Sequence, residues 1–352
     1  MKTVEQKNKI AQLNDPVFVE SCLNAHLASY YPDFLSINKL ELHPYKKHIG
    51  KTSAVFVVGY RIEYQSKNAE NKRLNLVATG HSDGSRKAAF EKLNYLYNHG
   101  FSEGQYLVTR PLFYLEENLA FFYEASVGHR LFSFFQAGTE VDLKNALDLT
   151  AAWVKKLHQL EFDQSFPWPK FSVNNIGPSV QKFFTDFMNH NPALGKKTRE
   201  MFTSIKQKEQ ELVSEFKTCL VYGDYHPENI ILTSIDSKSL KMIDFTDVAL
   251  GDPMLDLGSF LQQFDFMGHR FFSRTKVNRE KEYFVSSYFG KKLEDIPVEF
   301  FARINLYQAW TALRTASFLF YMHRDGSVRE LLEEVEGYVN LISKKEKNIN
   351  LH

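Results

Sequence analysis

The sequence predicts an α+β protein of two lobes, a small N-terminal antiparallel sheet lobe with a helix and a larger, mainly helical C-terminal lobe. Three observations predict it. A length of 352 residues suffices for two cores of ordinary size. Runs rich in β-branched and aromatic residues gather in the first 125 or so positions, and apolar residues at helical spacing dominate from about 140 onward. Strands followed by helices, rather than alternating with them, is the α+β pattern. The boundary this gives is 1–125 for the first lobe, with an N-terminal helical extension at about 15–31, and 126–352 for the second.

The elements follow in order. "DPVFVESCLNAHLASYY" has helical apolar spacing, with Asp15 as N-cap and Pro16 at the first position. "TSAVFVVGYRIEYQ" (52–65) reads as a strand and "KRLNLVATG" (72–80) as its hairpin partner. "SRKAAFEKLNYLYNHG" (85–100) is an amphipathic helix closed by Gly100. "YLVTRPLFYLEENLAFFYEA" gives two more strands around a Glu-Glu-Asn turn. In "VDLKNALDLTAAWVKKLHQL", Leu143, Leu147, Trp153, Leu157 and Leu160 fall at helical intervals. Two short strands, "CLVY" and "LKMIDF", form a hairpin embedded in the helical part, and long helices return at 299–322 and 327–345.

Composition narrows the function classes. Hydrophobic content of 43% and charged content of 24% are those of a globular protein. Lys+Arg 43 against Asp+Glu 42 leaves a net charge of +1, so no global field selects nucleic acid or an anionic membrane. Two cysteines, Cys22 and Cys219, make no disulfide framework. The polar N-terminus lacks the apolar core of a signal peptide, and no stretch has the length a membrane helix needs. The expectation is a soluble, cytoplasmic protein.

The chemistry concentrates in "CLVYGDYHPENIILTSIDSKSLKMIDFTDVALGDPMLDLGSF" (219–260), which holds Asp224, Asp236, Asp244, Asp247, Asp252 and Asp256. Asp224 and Asn229 lie five positions apart on a loop that leaves "CLVY", and Pro227 between them excludes a helix interior. Asp244 comes fifteen residues later, after the apolar "LKMI". Two adjacent strands would bring these three to one edge. Two carboxylates and an amide oxygen are hard oxygen ligands, the set that suits Mg²⁺ bound jointly with phosphates. Single aspartates in such a run also serve as turn formers and caps, and Asp236 and Asp247 read as solvated turn residues.

Asp-x4-Asn, then "IDF", then "GDPMLDL", in that order, resembles the aminoglycoside phosphotransferase and choline kinase-like family, whose fold is protein-kinase-like. The resemblance implies ATP- and Mg²⁺-dependent phosphorylation of a hydroxyl on a small molecule such as a sugar or amino alcohol. It implies Asp224 as catalytic base, Asn229 and Asp244 as Mg²⁺ ligands, and Asp256 as a carboxylate bonded to the catalytic-loop backbone. Asp252 serves a turn or the same loop, and His226 a loop-supporting role. Tyr222 stands where the family usually has His, and packs beneath the loop. His158, in a helix ending in Leu-His, reads as a packed residue.

The resemblance extends weakly to the rest of the chain. "LAFFYEASVGHRL" resembles the family hinge, so Glu124, Ala125 and Ser126 would offer backbone groups to adenine; an edge strand before a Gly turn would look the same. Here the pattern also breaks. Thr79 falls at or beside the strand lysine that should reach the phosphates, and Ala89 falls where its Glu partner belongs, with Glu91 two residues on. Replacement cations are Lys51, Arg61, and Arg86 or Lys87, for each of which a solvated surface charge is the default reading. "GKTS" ends like a Walker A motif, but Tyr45 occupies the required glycine, which rejects a P-loop.

The acceptor side, by analogy, is lined from 258–272 and 299–322, with Phe260, Tyr307 and Trp310 as candidates beside Phe264 and Phe266; core packing is their default reading. No acidic cluster outside the catalytic segment suits a polycationic aminoglycoside. Two other functions compete: a pseudokinase-like nucleotide-binding module, which the missing lysine and Glu favour, and a nucleotidyl transferase on the same scaffold, which would release pyrophosphate.

Overall fold

The polar N-terminus, which offered no element in the sequence, begins with a helix, α1 (Lys2–Ala11), followed by α2 (Pro16–His26). In the computed structural model, residues 2–50, 53–137, 139–212, 217–234, 239–344 and 346–351 are described. The chain forms two units, Met1–Gly128 with Lys241–Thr246, and His129–Leu240 with Asp247–His352. Asp15 caps α2 by accepting the Val17 N–H at 3.0 Å, and Pro16 fills a position with no helical bond to give.

The first unit is built on five antiparallel strands: β1 (Phe34–Ile49), β2 (Ala54–Ser66), β3 (Asn71–His81), then, after α3 (Arg86–Leu96) and the short β4 (Tyr106–Val108), β5 (Pro111–Leu115) and β6 (Ala120–Glu124). Their order is β1-β2-β3-β6-β5. Thr79 lies opposite Val57 on one side and Phe121 on the other. The stretch 106–124 therefore holds three strands rather than the two expected, because the chain breaks at Thr109–Arg110. β1 was not expected at all. It is an edge strand paired only with β2, and its last seven residues are exposed, so little of it alternates between core and solvent. Ile10, Leu13, Val19, Leu23 and Leu27 bury against Phe56, Val58, Tyr60, Ile62 and Phe122 of the sheet, forming this unit's core.

The second unit starts with β7 (His129–Arg130) and α4 (Phe134–Ala137). It continues with α5 (Glu140–Gln159), α6 (Val180–His190), α7 (Pro192–Leu212), β8 (Cys219–Val221) and β9 (Ile230–Ser234). β10 (Ser239–Met242) leads into the segment that belongs to the first unit; β11 (Ala249–Gly251), α8 (Met254–Gly268), α9 (Arg274–Phe289), α10 (Val298–Tyr321) and α11 (Asp325–Lys344) complete the second. The expected hairpin partner of "CLVY" is corrected: β8 pairs with β11, Val221 opposite Ala249, and β9 pairs with β7. Short apolar runs carry no signal of which partner they choose, so adjacency in sequence misled. α8 and α10 meet closely at Gly258, where a Cβ would lie 2.6 Å from the Tyr307 Cβ and 2.7 Å from the Ile304 carbonyl oxygen. Only glycine allows that approach.

Candidate active site

The loop after β8 is tied down from below. Asp256, in the first turn of α8 and fully buried, accepts the backbone N–H of Tyr222 at 2.7 Å and of Gly223 at 2.8 Å. His158 of α5 reaches the same carboxylate with Nε2 at 2.9 Å, while its Nδ1 meets the Tyr288 hydroxyl at 2.8 Å. A buried carboxylate is costly unless hydrogen-bonded, and these three partners supply the bonds. Gly223 has φ +81°, and a Cβ there would stand 2.5 Å from the Asp247 carbonyl oxygen. The Tyr222 ring is buried edge-on to Trp153, as expected for an aromatic beneath the loop, and the Tyr225 hydroxyl donates to the Thr150 carbonyl at 2.7 Å.

On this loop Asp224 keeps about a third of its side chain exposed, with Arg314 Nη1 3.2 Å from Oδ1 and His226 Nε2 3.5 Å from Oδ2. Burial pushes its carboxyl up, but the His226 hydrogen bond and the Arg314 charge outweigh it and hold the group down at about 2. His226 also accepts the Glu228 N–H on Nδ1 at 3.3 Å, bracing the loop. Asn229 donates its amide to the Asp224 carbonyl at 3.2 Å.

Two arginines of α10 escaped the sequence reading. Arg314 bridges the Gly223 carbonyl at 3.1 Å, Asp224, and the Asp247 carboxylate at 2.5 Å. Asp247 does lie in a turn, but it is an ion-pair partner rather than a solvated residue. Arg303 forms a buried bidentate pair with Asp252, whose Oδ1 also accepts the Met254 N–H at 2.9 Å. Asp252 thus holds the start of α8 and not the loop that carries Asp224. A signal existed: positions 303 and 314 lie about three turns apart on one stripe of an otherwise apolar helix.

Asp244 belongs to the first unit. It takes φ +61°, its side chain is 50% exposed, and Oδ1 accepts the Thr246 hydroxyl at 2.7 Å. Helix α3 supplies the nearby cations: Arg86 Nη1 donates to Thr246 Oγ1 at 2.5 Å and lies 3.9 Å from Asp244 Oδ1, and Lys92 Nζ donates to the Thr246 carbonyl at 2.8 Å. Lys92 was not anticipated. Among the proposed replacement cations, Arg61 is an exposed strand residue, Lys87 pairs with Glu116 at 2.5 Å, and Lys51 lies outside the described residues, as does Asp236. Thr79 is buried in the sheet.

At the hinge-like turn, the Glu124 N–H donates to the Arg110 carbonyl at 3.0 Å and the Ala125 N–H to the Asn75 carbonyl at 2.9 Å. Ala125 is therefore corrected: its donor is spent within the sheet. The Glu124 side chain joins Tyr31 at 2.6 Å and Arg110 at 3.1 Å. Ser126 Oγ is buried with no hydrogen-bond partner among the described residues.

A cleft of about 420 Å³ opens in the second unit with Asp224, His226 and Arg314 in its wall. The acceptor candidates Phe260, Tyr307 and Trp310 do not line it. Phe260 packs in the core with its ring centroid 4.2 Å from that of Phe284, Tyr307 packs against Phe171, and Trp310 donates Nε1 to the Val173 carbonyl at 2.9 Å. They occupy the bundle-facing stripes of α8 and α10. Their neighbours one step around, Ser259, Gln263, Phe266, Thr311, Thr315 and Phe318, line the cleft instead.

Among the described residues no helix is long and apolar enough to cross a membrane. Among curated proteins none matches the chain. Among solved structures it is similar to an ADP-bound aminoglycoside phosphotransferase, APH(2'')-Ib, at 18% identity and TM-score 0.54, over 91% of this chain and 99% of that one. It is similar to a Plasmodium vivax ethanolamine kinase at 14% identity and TM-score 0.55, over 87% and 83%. Choline kinase LicA of Streptococcus pneumoniae matches at 14% identity and TM-score 0.53, over 92% and 99%. These likenesses establish a kinase-like fold, with an antiparallel-sheet N-terminal lobe and a larger helical C-terminal part. A family model described as the phosphotransferase enzyme family, APH, matches residues 72–291. That span exceeds half of the 352 residues and carries Asp224, Asn229, Asp244 and Asp256 in the expected order, and the chain accordingly belongs to the phosphotransferase enzyme family.

Proposed function

We propose that this small-molecule kinase transfers the γ-phosphoryl group of ATP, with Mg²⁺, to a hydroxyl of a small acceptor. One observation carries the reading: an ionised carboxylate, Asp224, stands in the wall of a cleft on a loop whose backbone Asp256 holds fixed. Its carboxylate accepts a hydrogen bond from the acceptor hydroxyl and aims the oxygen for in-line attack. With a pKa of about 2 it is a weak base, so its contribution is orientation, followed by late receipt of the hydroxyl proton. Positioning and charge stabilisation supply most of the rate in phosphoryl transfer.

The donor chemistry fits Mg²⁺. Asn229 has its amide NH₂ turned to the Asp224 carbonyl, which leaves Oδ1 as its oxygen donor, and Asp244 presents a half-exposed carboxylate from a left-handed backbone. When bound, the ion supplies neutralisation of phosphate charge. Arg86, already beside Asp244, takes over the phosphate cation that Thr79 cannot provide. The Glu124 carbonyl and Ser126 N–H are the backbone groups offered to a purine edge, and the orphaned Ser126 Oγ supports a ligand at that turn.

The test is ADP release by the full chain with ATP, Mg²⁺ and an acceptor panel. Asp224→Ala is expected to cut turnover by about 10³-fold while ATP binding, followed by calorimetry, persists. An unchanged turnover number sinks the assignment. Pyrophosphate in place of ADP would make it a nucleotidyl transferase, and binding without any turnover a pseudokinase-like module.

A further inference from the structure

The cleft beside Asp224 is lined by two helices that repeat one pattern. On α8 the lining positions are Ser259, Gln263, Phe266 and Met267; on α10 the same steps are taken by Thr311, Thr315, Phe318 and Leu319, with Arg314 as one further lining residue. Both sets have the spacing i, i+4, i+7, i+8, and both run hydrogen-bonding, hydrogen-bonding, phenylalanine, aliphatic. The helices are in register. Ser259 Oγ meets Thr311 Oγ1 at 3.0 Å and Gln263 Nε2 meets Thr315 Oγ1 at 2.7 Å, each across an offset of 52 residues, so the helices run in the same direction. The cleft wall therefore has two tiers, a polar one and, about one helical turn further along, an apolar one.

The polar tier lies at the reacting end, because Arg314, between Thr311 and Thr315, contacts Asp224. Its hydrogen-bond inventory is specific. The Gln263 amide gives its two N–H groups to Gln262 Oε1 at 2.8 Å and Thr315 Oγ1 at 2.7 Å, so its Oε1 remains as an acceptor. Thr315 donates its proton to the Thr311 carbonyl at 2.9 Å. The Ser259–Thr311 pair shares one bond, which leaves one O–H as a donor. One neutral acceptor and one neutral donor side by side match adjacent hydroxyl groups. The apolar tier leaves Phe266, Met267 and Leu319 half-buried and Phe318 63% exposed, apolar surface that a ligand would cover.

Charge excludes the other acceptors. The lining carries two carboxylates, Asp224 and Glu228, against Arg314, and Asp224 is already paired with that arginine. A polycation needs more negative charge than this. A quaternary amine needs an aromatic cage; of the lining aromatics, Tyr225 is fully buried with its hydroxyl on the Thr150 carbonyl, and Phe266 and Phe318 stand on the tier away from Asp224.

The geometry points to an acceptor that is a neutral polyol bearing an apolar group, of the aryl or alkyl glycoside type, with its hydroxyls on the Ser259–Gln263–Thr311 tier and its apolar group on the Phe266–Phe318 tier. This rests on the kinase reading above. The probes are methyl β-D-glucopyranoside, phenyl β-D-glucopyranoside, choline and kanamycin, each with the full chain, ATP and Mg²⁺, followed by ADP release. Transfer is expected to the glucosides, with the phenyl compound showing a KM about tenfold below the methyl compound. Phe318→Ser, an exposed substitution that spares the fold, should erase that advantage. Gln263→Leu should raise KM for both glucosides about tenfold and leave KM for ATP unchanged. Transfer that favours choline or kanamycin, no transfer to either glucoside, or equal KM values for the two glucosides overturns the inference. ATP hydrolysis that Asp224→Ala abolishes keeps the kinase reading standing in those cases. Hydrolysis equal in wild type and Asp224→Ala removes both.

Discussion

Asp256 and Asp244 are carboxylates from the same 42-residue stretch of sequence, yet they live in opposite circumstances. Asp256 is wholly buried and saturated by two backbone N–H groups and His158. Asp244 is half exposed, held on Oδ1 by a hydroxyl, and strained at φ +61°. The first is spent on making a loop rigid, whereas the second keeps half of its side chain in solvent. A buried, saturated carboxylate and a half-exposed one fail differently when altered, and that difference can be measured.

The largest effect belongs to the buried member. Asp256→Ala leaves the Tyr222 and Gly223 N–H groups and His158 without their partner and should cost about 3–5 kcal/mol of stability, read from urea unfolding at unchanged slope. Asp244→Ala should change stability by no more than about 0.5 kcal/mol while reducing phosphoryl transfer at least about 10²-fold. Equal stability losses in the two variants would break the comparison. Gly223→Ala comes next: its Cβ would collide with the Asp247 carbonyl oxygen at a left-handed φ, and about 1–3 kcal/mol is expected.

Asp224 stands between the extremes, and pH sharpens its position. Its folded pKa of about 2 lies below that of a free aspartate, about 3.9. Its ionised form therefore favours the folded state above pH ~4, and that contribution is lost as pH falls towards 2. The stability gap between wild type and Asp224→Asn should narrow from pH 6 to pH 3, and Arg314→Met should reduce the gap at pH 6. Glu334 shows a shift of the opposite sign. Burial raises its carboxyl to about 7, against the Gln262 hydrogen bond at 3.0 Å. A raised acid loses stability as pH climbs from ~4.5 through ~7, so Glu334→Gln should be neutral at pH 5 and more stable than wild type at pH 8.

Legibility in the sequence followed the same divide. β2, β3 and α3 could be read because their apolar residues alternate at the period of the element. β1 could not, since an edge strand exposed along its outer half has no such alternation. Within the site, Asp224, Asn229, Asp244 and Asp256 were legible through their order and spacing. Arg314, Arg303 and Lys92 were not, because each acts on a partner 51 or more residues away, and the spacing that puts the two arginines on one stripe of α10 does not name that partner. Phe260, Tyr307 and Trp310 were placed on the right helices but on the wrong stripe, an error of about 100° around the axis. The side chains that do line the cleft, Gln263 among them, are small or neutral and carry no motif.

The return of Lys241–Thr246 to the first unit has a consequence for how the protein is made. The Thr109 N–H bonds to the Met242 carbonyl at 3.3 Å, and Arg86 and Lys92 bond to Thr246. A nascent chain ending at residue 128 holds none of these partners. Its sheet can form early from hairpins of low sequence separation, but the cationic end of α3 must wait for more than a hundred further residues, and closing so long a loop slows the step. Synthesis order thus makes the first unit the first to begin folding and keeps it from finishing until residues 241–246 have been made.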